Sequence, residues 1–347
     1  LIFQDTFCSY LRIVVRMGGV PVHMTIRVTF RPDNQLPPVI QTPLPREPER
    51  IVTPVPELVG LGRIRKNNNV SSLEKDKDKI KEILDELESF TGLVTVKRLI
   101  RDLQAFVEIQ KRRTQEKLIA EPLVLHMIFR GNPGTGKTTV ARLVGRLLKE
   151  MGVLQKGHVI ECERADLVGE YIGHTAQKTR EQLKKALGGV LFIDEAYSLA
   201  RGGEKDFGKE AIDALVKAME DNKDNLVLIL AGYRQEMEWF LQTNPGLRSR
   251  FPIHIDFPDY SLDELLSIGN LMFKTRQYEL TPEARAALRF QLNNLLNTHP
   301  YAGNARLVRN LVEKTVRKQA VRLFQKSSSS REELIQILPV DINLEDL

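Results

Sequence analysis

The 347-residue sequence predicts an α/β fold, a parallel sheet covered by helices on both faces, followed by a small all-α unit. Three observations predict it. From Leu123, short apolar runs alternate with helical patterns of about 10–15 residues, which marks a buried parallel sheet. The first run leads into a glycine-rich loop and then an amphipathic helix. After Pro258 the apolar runs stop and only helical periodicity continues.

Residues 1–70 read as a poorly ordered extension. Eight of the 17 prolines lie between Pro32 and Pro56. Proline fixes φ and removes a backbone donor, so this stretch reads as an extended linker. Val22, Met24, Ile26, Val28 and Phe30 alternate as in a short strand, but the sequence offers that strand no partner. The chain opens on Leu1, so it reads as a fragment, as a start at an unusual codon, or as a protein that begins at Met17 or Met24.

Residues 71–260 read as a nucleotide-binding α/β domain with N-terminal helices. Leu73, Ile80, Ile83, Leu84 and Leu87 fall on one face of a helix whose other face is charged. Leu93–Leu118 is a second amphipathic helix. The apolar runs are Leu123–Phe129, Val159–Cys162, Val190–Ile193, Leu226–Leu230 and Ile253–Ile255. Residues 261–326 read as a helical lid, with helices over 261–275, 282–297 and 303–325. Residues 327–347 read as a flexible tail that begins with a serine run.

Composition narrows the function. Residues 1–70 carry 9 Lys+Arg against 5 Asp+Glu, and the rest carries 42 against 40. The core is near neutral and lacks a basic stripe with interleaved aromatics, so nucleic-acid binding is not favoured. No run of 18 apolar residues exists, and arginines interrupt any signal-peptide core, so a cytoplasmic protein is expected. Cys8 and Cys162 are too few for a disulfide framework, and Cys162 reads as a buried thiol. The six histidines are scattered, which disfavours a histidine metal site.

Gly131-Asn132-Pro133-Gly134-Thr135-Gly136-Lys137-Thr138-Thr139 fits G-x-x-x-x-G-K-[ST], the phosphate-binding (Walker A) pattern. Its glycines let successive N–H groups turn toward phosphate oxygens, and the helix N-terminus adds positive character. Lys137 would reach the outer phosphates of ATP, and Thr138 would ligate Mg²⁺. Val190–Ile193 then delivers Asp194 and Glu195 to a strand end, the Walker B position, where Asp194 would hold the Mg²⁺ shell and Glu195 would polarise the attacking water.

With these motifs, the chain resembles an AAA+ ATPase. It looks most like the CbbX/CfxQ branch, which contains the stage V sporulation protein K family and the red-type Rubisco activases. The resemblance spans roughly residues 75–325. It is carried by the segment His126–Thr138, by Asp166–Thr175, Leu191–Leu199, Leu230–Tyr233, Asn244–Phe251 and Gly303–Arg306. It implies that Arg250, with Arg248 as second choice, is a trans-acting arginine finger. It places Arg306 at the sensor-2 position, and Gly92-Leu93 beside adenine. Tyr171-Ile172-Gly173 resembles a pore loop that grips polypeptide, and Arg201–Gly208 a second pore-facing loop. Relatives usually carry Asn, Thr or Ser at the end of the fourth strand. This chain has Ala231-Gly232-Tyr233 there, which implies a different way of placing the lytic water.

The resemblance therefore implies a ring, a hexamer, that remodels a protein substrate with ATP and Mg²⁺ in spore maturation. A red-type Rubisco activase is the close alternative, and a nucleotide-gated binding module with little hydrolysis is a second. Intact Glu195, Arg250 and Arg306 count against the latter.

Overall fold

The protein is described by a computed structural model covering residues 8–17, 20–29, 69–119, 123–171, 173–202, 206–298, 303–326 and 328–342. It divides into two units, Leu1–Ile64 and Arg65–Leu347. In the first, β1 (Cys8–Met17) and β2 (Val20–Thr29) pair antiparallel, with Ile13 opposite Met24. This corrects the expectation of a strand without a partner. The partner is β1, in which Leu11, Ile13, Val15 and Met17 alternate with Arg12, Val14 and Arg16. The Pro-rich linker lies outside the described residues.

The second unit opens with α1 (Asn69–Ser89) and α2 (Val94–Gln115). The α/β core follows as β3 (Met127–Gly131), α3 (Lys137–Glu150), β4 (Val159–Cys162), α4 (Arg164–Leu167), α5 (His174–Ala186) and β5 (Val190–Ile193). A 3₁₀ turn (Ala196–Ala200) leads to α6 (Gly208–Asp221), β6 (Val227–Gly232), α7 (Arg234–Thr243), α8 (Pro245–Arg250) and β7 (Ile253–Phe257). The sheet order is β4-β5-β6-β3-β7, and every pair is parallel. The strands β5, β6 and β3 are thus consecutive neighbours, and their C-terminal ends share one edge.

Period-two alternation fills both faces. Phe129, Phe192, Ile229 and Ile255 pack on α1–α3, while Ile128, Leu191, Leu228 and Leu230 pack on the side of α6 and α7. Cys162 is a buried free thiol, and burial raises its pKa to about 11.

His126, just before β3, is 3% exposed, and its Nδ1 accepts the Leu228 N–H at 3.1 Å. Burial lowers its pKa from 6.5 to about 4, against an opposing backbone hydrogen bond at Met219. The folded chain keeps the ring neutral while the unfolded chain protonates it near 6.5. Its contribution is therefore complete above pH 6.5 and is lost as pH falls from 6.5 toward 4. The loss amounts to about 3 kcal/mol. Urea unfolding across that window should show it, and His126→Gln should flatten the dependence. Parallel curves for the two proteins would remove the assignment.

The helical unit contains α9 (Leu262–Thr275), β8 (Glu279–Leu280), α10 (Pro282–Thr298), α11 (Asn304–Phe324), α12 (Arg331–Ile335), β9 (Gln336–Ile337) and α13 (Pro339–Ile342). Ser261 and Glu264 form a capping box at its entrance. The expectation of a flexible tail over 327–347 does not hold for the described residues 328–342. β9 pairs with β8, Ile337 and Ile342 are fully buried in the lid core, and Arg322 makes a two-pronged ion pair with buried Asp341 at 2.8 and 2.9 Å. These residues complete the lid because α9–α11 alone leave an apolar face uncovered.

Candidate functional site

The strand order brings three loop ends together. β3 delivers the glycine-rich loop, β5 delivers Asp194-Glu195, and β6 delivers Gly232-Tyr233. A cavity of about 340 Å³ opens there, lined by Pro133, Gly134, Gly136, Lys137, Thr138, Thr139, Asp194, Glu195, Gly232, Tyr233 and Arg306 among others. Ligands bind at such sheet edges in open α/β folds.

The loop geometry follows from its residues. Gly134 has φ +74°, and a Cβ there would lie 2.1 Å from the Gly303 carbonyl oxygen. Gly136 has φ +98° and turns the chain into α3. Only glycine takes both positions without strain. Thr135 is buried and its hydroxyl donates to the Asn132 carbonyl at 2.8 Å, which tightens the turn. Gly131, Asn132 and Thr135 therefore shape the loop, while the remaining loop residues line the cavity.

Lys137 folds back, its Nζ donating to the Gly131 and Asn132 carbonyls at 2.8 and 2.9 Å. Its pKa is lowered, chiefly by burial; Asp194 opposes this, and Arg306 adds repulsion. Lys137 and Arg306 thus face one cavity at a helix N-terminus. That donor set fits a polyphosphate, which would relieve their repulsion. Thr138 and Asp194 line the same cavity, as a Mg²⁺ shared with phosphate oxygens requires. Among the described residues no cluster of three or more His, Cys, Asp or Glu could hold a metal by itself.

Glu195 has φ +46°, a left-handed conformation that is costly for a residue with a side chain. Its N–H donates to Asp194 Oδ1 at 3.0 Å, and its side chain is exposed to the cavity. Tyr233 also lines the cavity, and its ring lies 5.9 Å from that of buried Tyr197. Tyr233 is thus the hydroxyl-bearing residue that directly follows the fourth core strand.

Other expected residues lie elsewhere. Arg250 ends α8 and does not line this cavity; its Nη2 pairs with Glu220 at 2.6 Å. Arg248 lies on the same short helix. Gly92 and Leu93 are also outside the lining, although Leu93 Cδ1 comes within 3.8 Å of where a Cβ on Gly136 would sit. Tyr171 is 66% exposed, and Gly173 has φ +82° with open space around it. Ile172 and residues 203–205 of the second loop are outside the described residues.

Arg142 and Arg309 also line the cavity and were not singled out by the sequence. Arg309 follows Arg306 by three residues on α11, the spacing that places two side chains on one helix face. That spacing was the available signal. Arg142 is already paired with Glu161, its Nε donating at 2.7 Å.

Residues 127–259 match the family described as ATPase family associated with various cellular activities (AAA), and residues 261–346 match the AAA lid domain. Stage V sporulation protein K of Bacillus subtilis is 52% identical over 281 residues, covering 80% of this chain and 87% of that protein. Protein CbbX of Cereibacter sphaeroides is 50% identical over 250 residues, covering 72% and 81%. The chloroplastic ribulose bisphosphate carboxylase/oxygenase activase of Cyanidioschyzon merolae is 47% identical over 247 residues, covering 71% and 84%. A polyphosphate cradle at the edge of a parallel sheet, a strained glutamate beside it and a helical lid closing over it thus have one account: the chain belongs to the AAA+ ATPases, in the branch that holds stage V sporulation protein K and CbbX.

Proposed function

We propose that this ATPase works as a ring, a hexamer, that grips a polypeptide and remodels it in spore maturation. When bound, ATP supplies a strained phosphoanhydride whose cleavage drives the cycle. The chain's own residues do the rest. Lys137 and the loop N–H groups would hold negative charge, and Thr138 and Asp194 would hold Mg²⁺. Glu195 takes a proton from water, and Tyr233 offers a hydroxyl nearby. Arg306 carries nucleotide state to the lid, and Arg250 serves the site of a neighbouring copy.

The observation that carries the gripping role is the exposure of Tyr171. A large aromatic that is 66% exposed, two residues before a glycine with open space around it, offers a sequence-tolerant surface. Among the described residues its one ring contact is an edge-on approach to His174, the first residue of α5, at 5.5 Å. Tyr171→Ala should therefore leave the melting temperature nearly unchanged, whereas truncating a buried aromatic costs about 3–5 kcal/mol. ATPase activity should persist, and crosslinking of a photoreactive group at position 171 to unfolded casein should be seen in the parental loop. A large drop in melting temperature with no crosslink would end the gripping assignment.

The identity with a ribulose bisphosphate carboxylase/oxygenase activase supports a second reading, in which the substrate is that carboxylase. Assaying release of the inhibited carboxylase separates the two.

A further inference from the structure

Asn304 lies on the first turn of α11, two residues before Arg306, and is 4% exposed. Its Nδ2 donates to Asp259 Oδ1 at 2.8 Å and to the Pro133 carbonyl at 3.3 Å. Its Oδ1 accepts the Tyr260 N–H at 3.0 Å. Asp259 in turn accepts from Asn132 Nδ2, at 3.0 Å on one oxygen and 2.8 Å on the other. One amide therefore joins three pieces of chain: the phosphate loop, the linker after β7, and the lid helix that carries Arg306. The backbone adds a fourth tie, as the Ala305 N–H donates to the Gly134 carbonyl at 3.2 Å.

The residue type is what this position demands. Asn304 has φ +48°, a left-handed conformation that asparagine and glycine tolerate and most side chains do not. Its amide also offers two donors and an acceptor, and all three are used here. Aspartate would set a second carboxylate against Asp259 and a carbonyl. An apolar side chain would leave buried polar partners unmet.

We propose that Asn304 is a positioning residue for Arg306. By pinning the first turn of α11 to the phosphate loop through Asp259, it fixes where the Arg306 guanidinium stands over the cavity. The preference of the site for ATP over ADP then depends on the Asn304 amide as well as on Arg306. The inference rests on the reading of Arg306 as the group that meets the terminal phosphate. Small misplacements matter, because positioning effects are lost within about an ångström.

The test measures binding, in a Glu195→Gln background so that ATP persists. Displacement of a fluorescent ADP analogue gives Kd for ATP and for ADP. Asn304→Gly keeps the backbone conformation and removes the bridge, and it should lower the ATP preference by about tenfold, the scale of one charge-assisted hydrogen bond. Asp259→Asn should act in the same direction and carries the test if the glycine variant fails to fold. Asn304→Gly combined with Arg306→Ala should lose no more than Arg306→Ala alone, since a residue acting through another adds nothing once that one is gone. Unchanged preference in both Asn304→Gly and Asp259→Asn, with only a lower melting temperature, would overturn the proposal, as would losses that simply add. If Arg306→Ala lowers the preference and Asn304→Gly does not, the role of Arg306 stands and only this inference falls. If Arg306→Ala changes nothing, or the parent shows no preference, both fall.

Discussion

Glu195→Gln should leave ATP binding near its parental strength and lower turnover by roughly two to four orders of magnitude, the usual scale of a positioned general base. The amide nearly matches the carboxylate in shape, so the loop, Lys137 and the lid stay as they are. It cannot accept a proton from water. The backbone supports this assignment independently of any motif. Glu195 holds φ +46°, worth roughly 1–3 kcal/mol of strain, at a position where a glycine would be comfortable. Nothing in the packing asks for a charged side chain there; the residue is exposed and faces the cavity that also holds Lys137 and Asp194. Lys137→Ala should behave differently, weakening binding itself, because it removes charge from the phosphate cradle. Paired measurements of nucleotide affinity and single-turnover hydrolysis separate the two. Parental turnover in Glu195→Gln would assign the water to another group, with Tyr233 the first to examine.

The sheet and the phosphate cradle were legible because their signals are local. A buried parallel strand is a short apolar run, and the glycine-rich loop carries its geometry in consecutive residues. What escaped the sequence depends on distant pairs. β9 is two residues long and meets β8 with Leu280 opposite Ile337, far apart in the chain, so no periodicity announces it. Ile337 and Ile342 lie in a short, largely apolar stretch bounded by Glu333 and Glu345, too brief to show a period, and their place is set only when the lid core is assembled. The first hairpin was missed although its signal is local: Leu11, Ile13, Val15 and Met17 alternate with Arg12, Val14 and Arg16, and Arg12 pairs in register with Thr25. At the site, Asn304 reaches Asp259 across 45 residues, a contact that only the fold creates. Arg142 joins the cavity for the same reason, whereas Arg309 had a local signal in its spacing from Arg306.

Arg250→Ala should cut ATP turnover by roughly 10³–10⁵, the range that an arginine finger contributes, while leaving the fold and nucleotide binding intact. The geometry of a single chain already argues for action in trans. Arg250 ends α8, outside the residues lining its own cavity, and is held by Glu220 with Nε at 3.0 Å and Nη2 at 2.6 Å, and by the Gly246 carbonyl at 2.8 Å. Its side chain is 36% exposed and that of Glu220 59%, so this is a surface pair of small net stability, easily exchanged for a phosphate. Losing it should not unfold the chain. A guanidinium so placed is available to the site of another copy, which is what the proposed ring supplies. Mixing Arg250→Ala with Glu195→Gln subunits then makes a sharp forecast. Each variant alone is nearly inactive, yet mixed rings contain some interfaces that join an intact finger to an intact glutamate. Activity should rise from near zero to a maximum at intermediate ratios. A flat response at every ratio, with subunit mixing verified by native mass spectrometry, would place Arg250 in a structural role and leave the finger to Arg248.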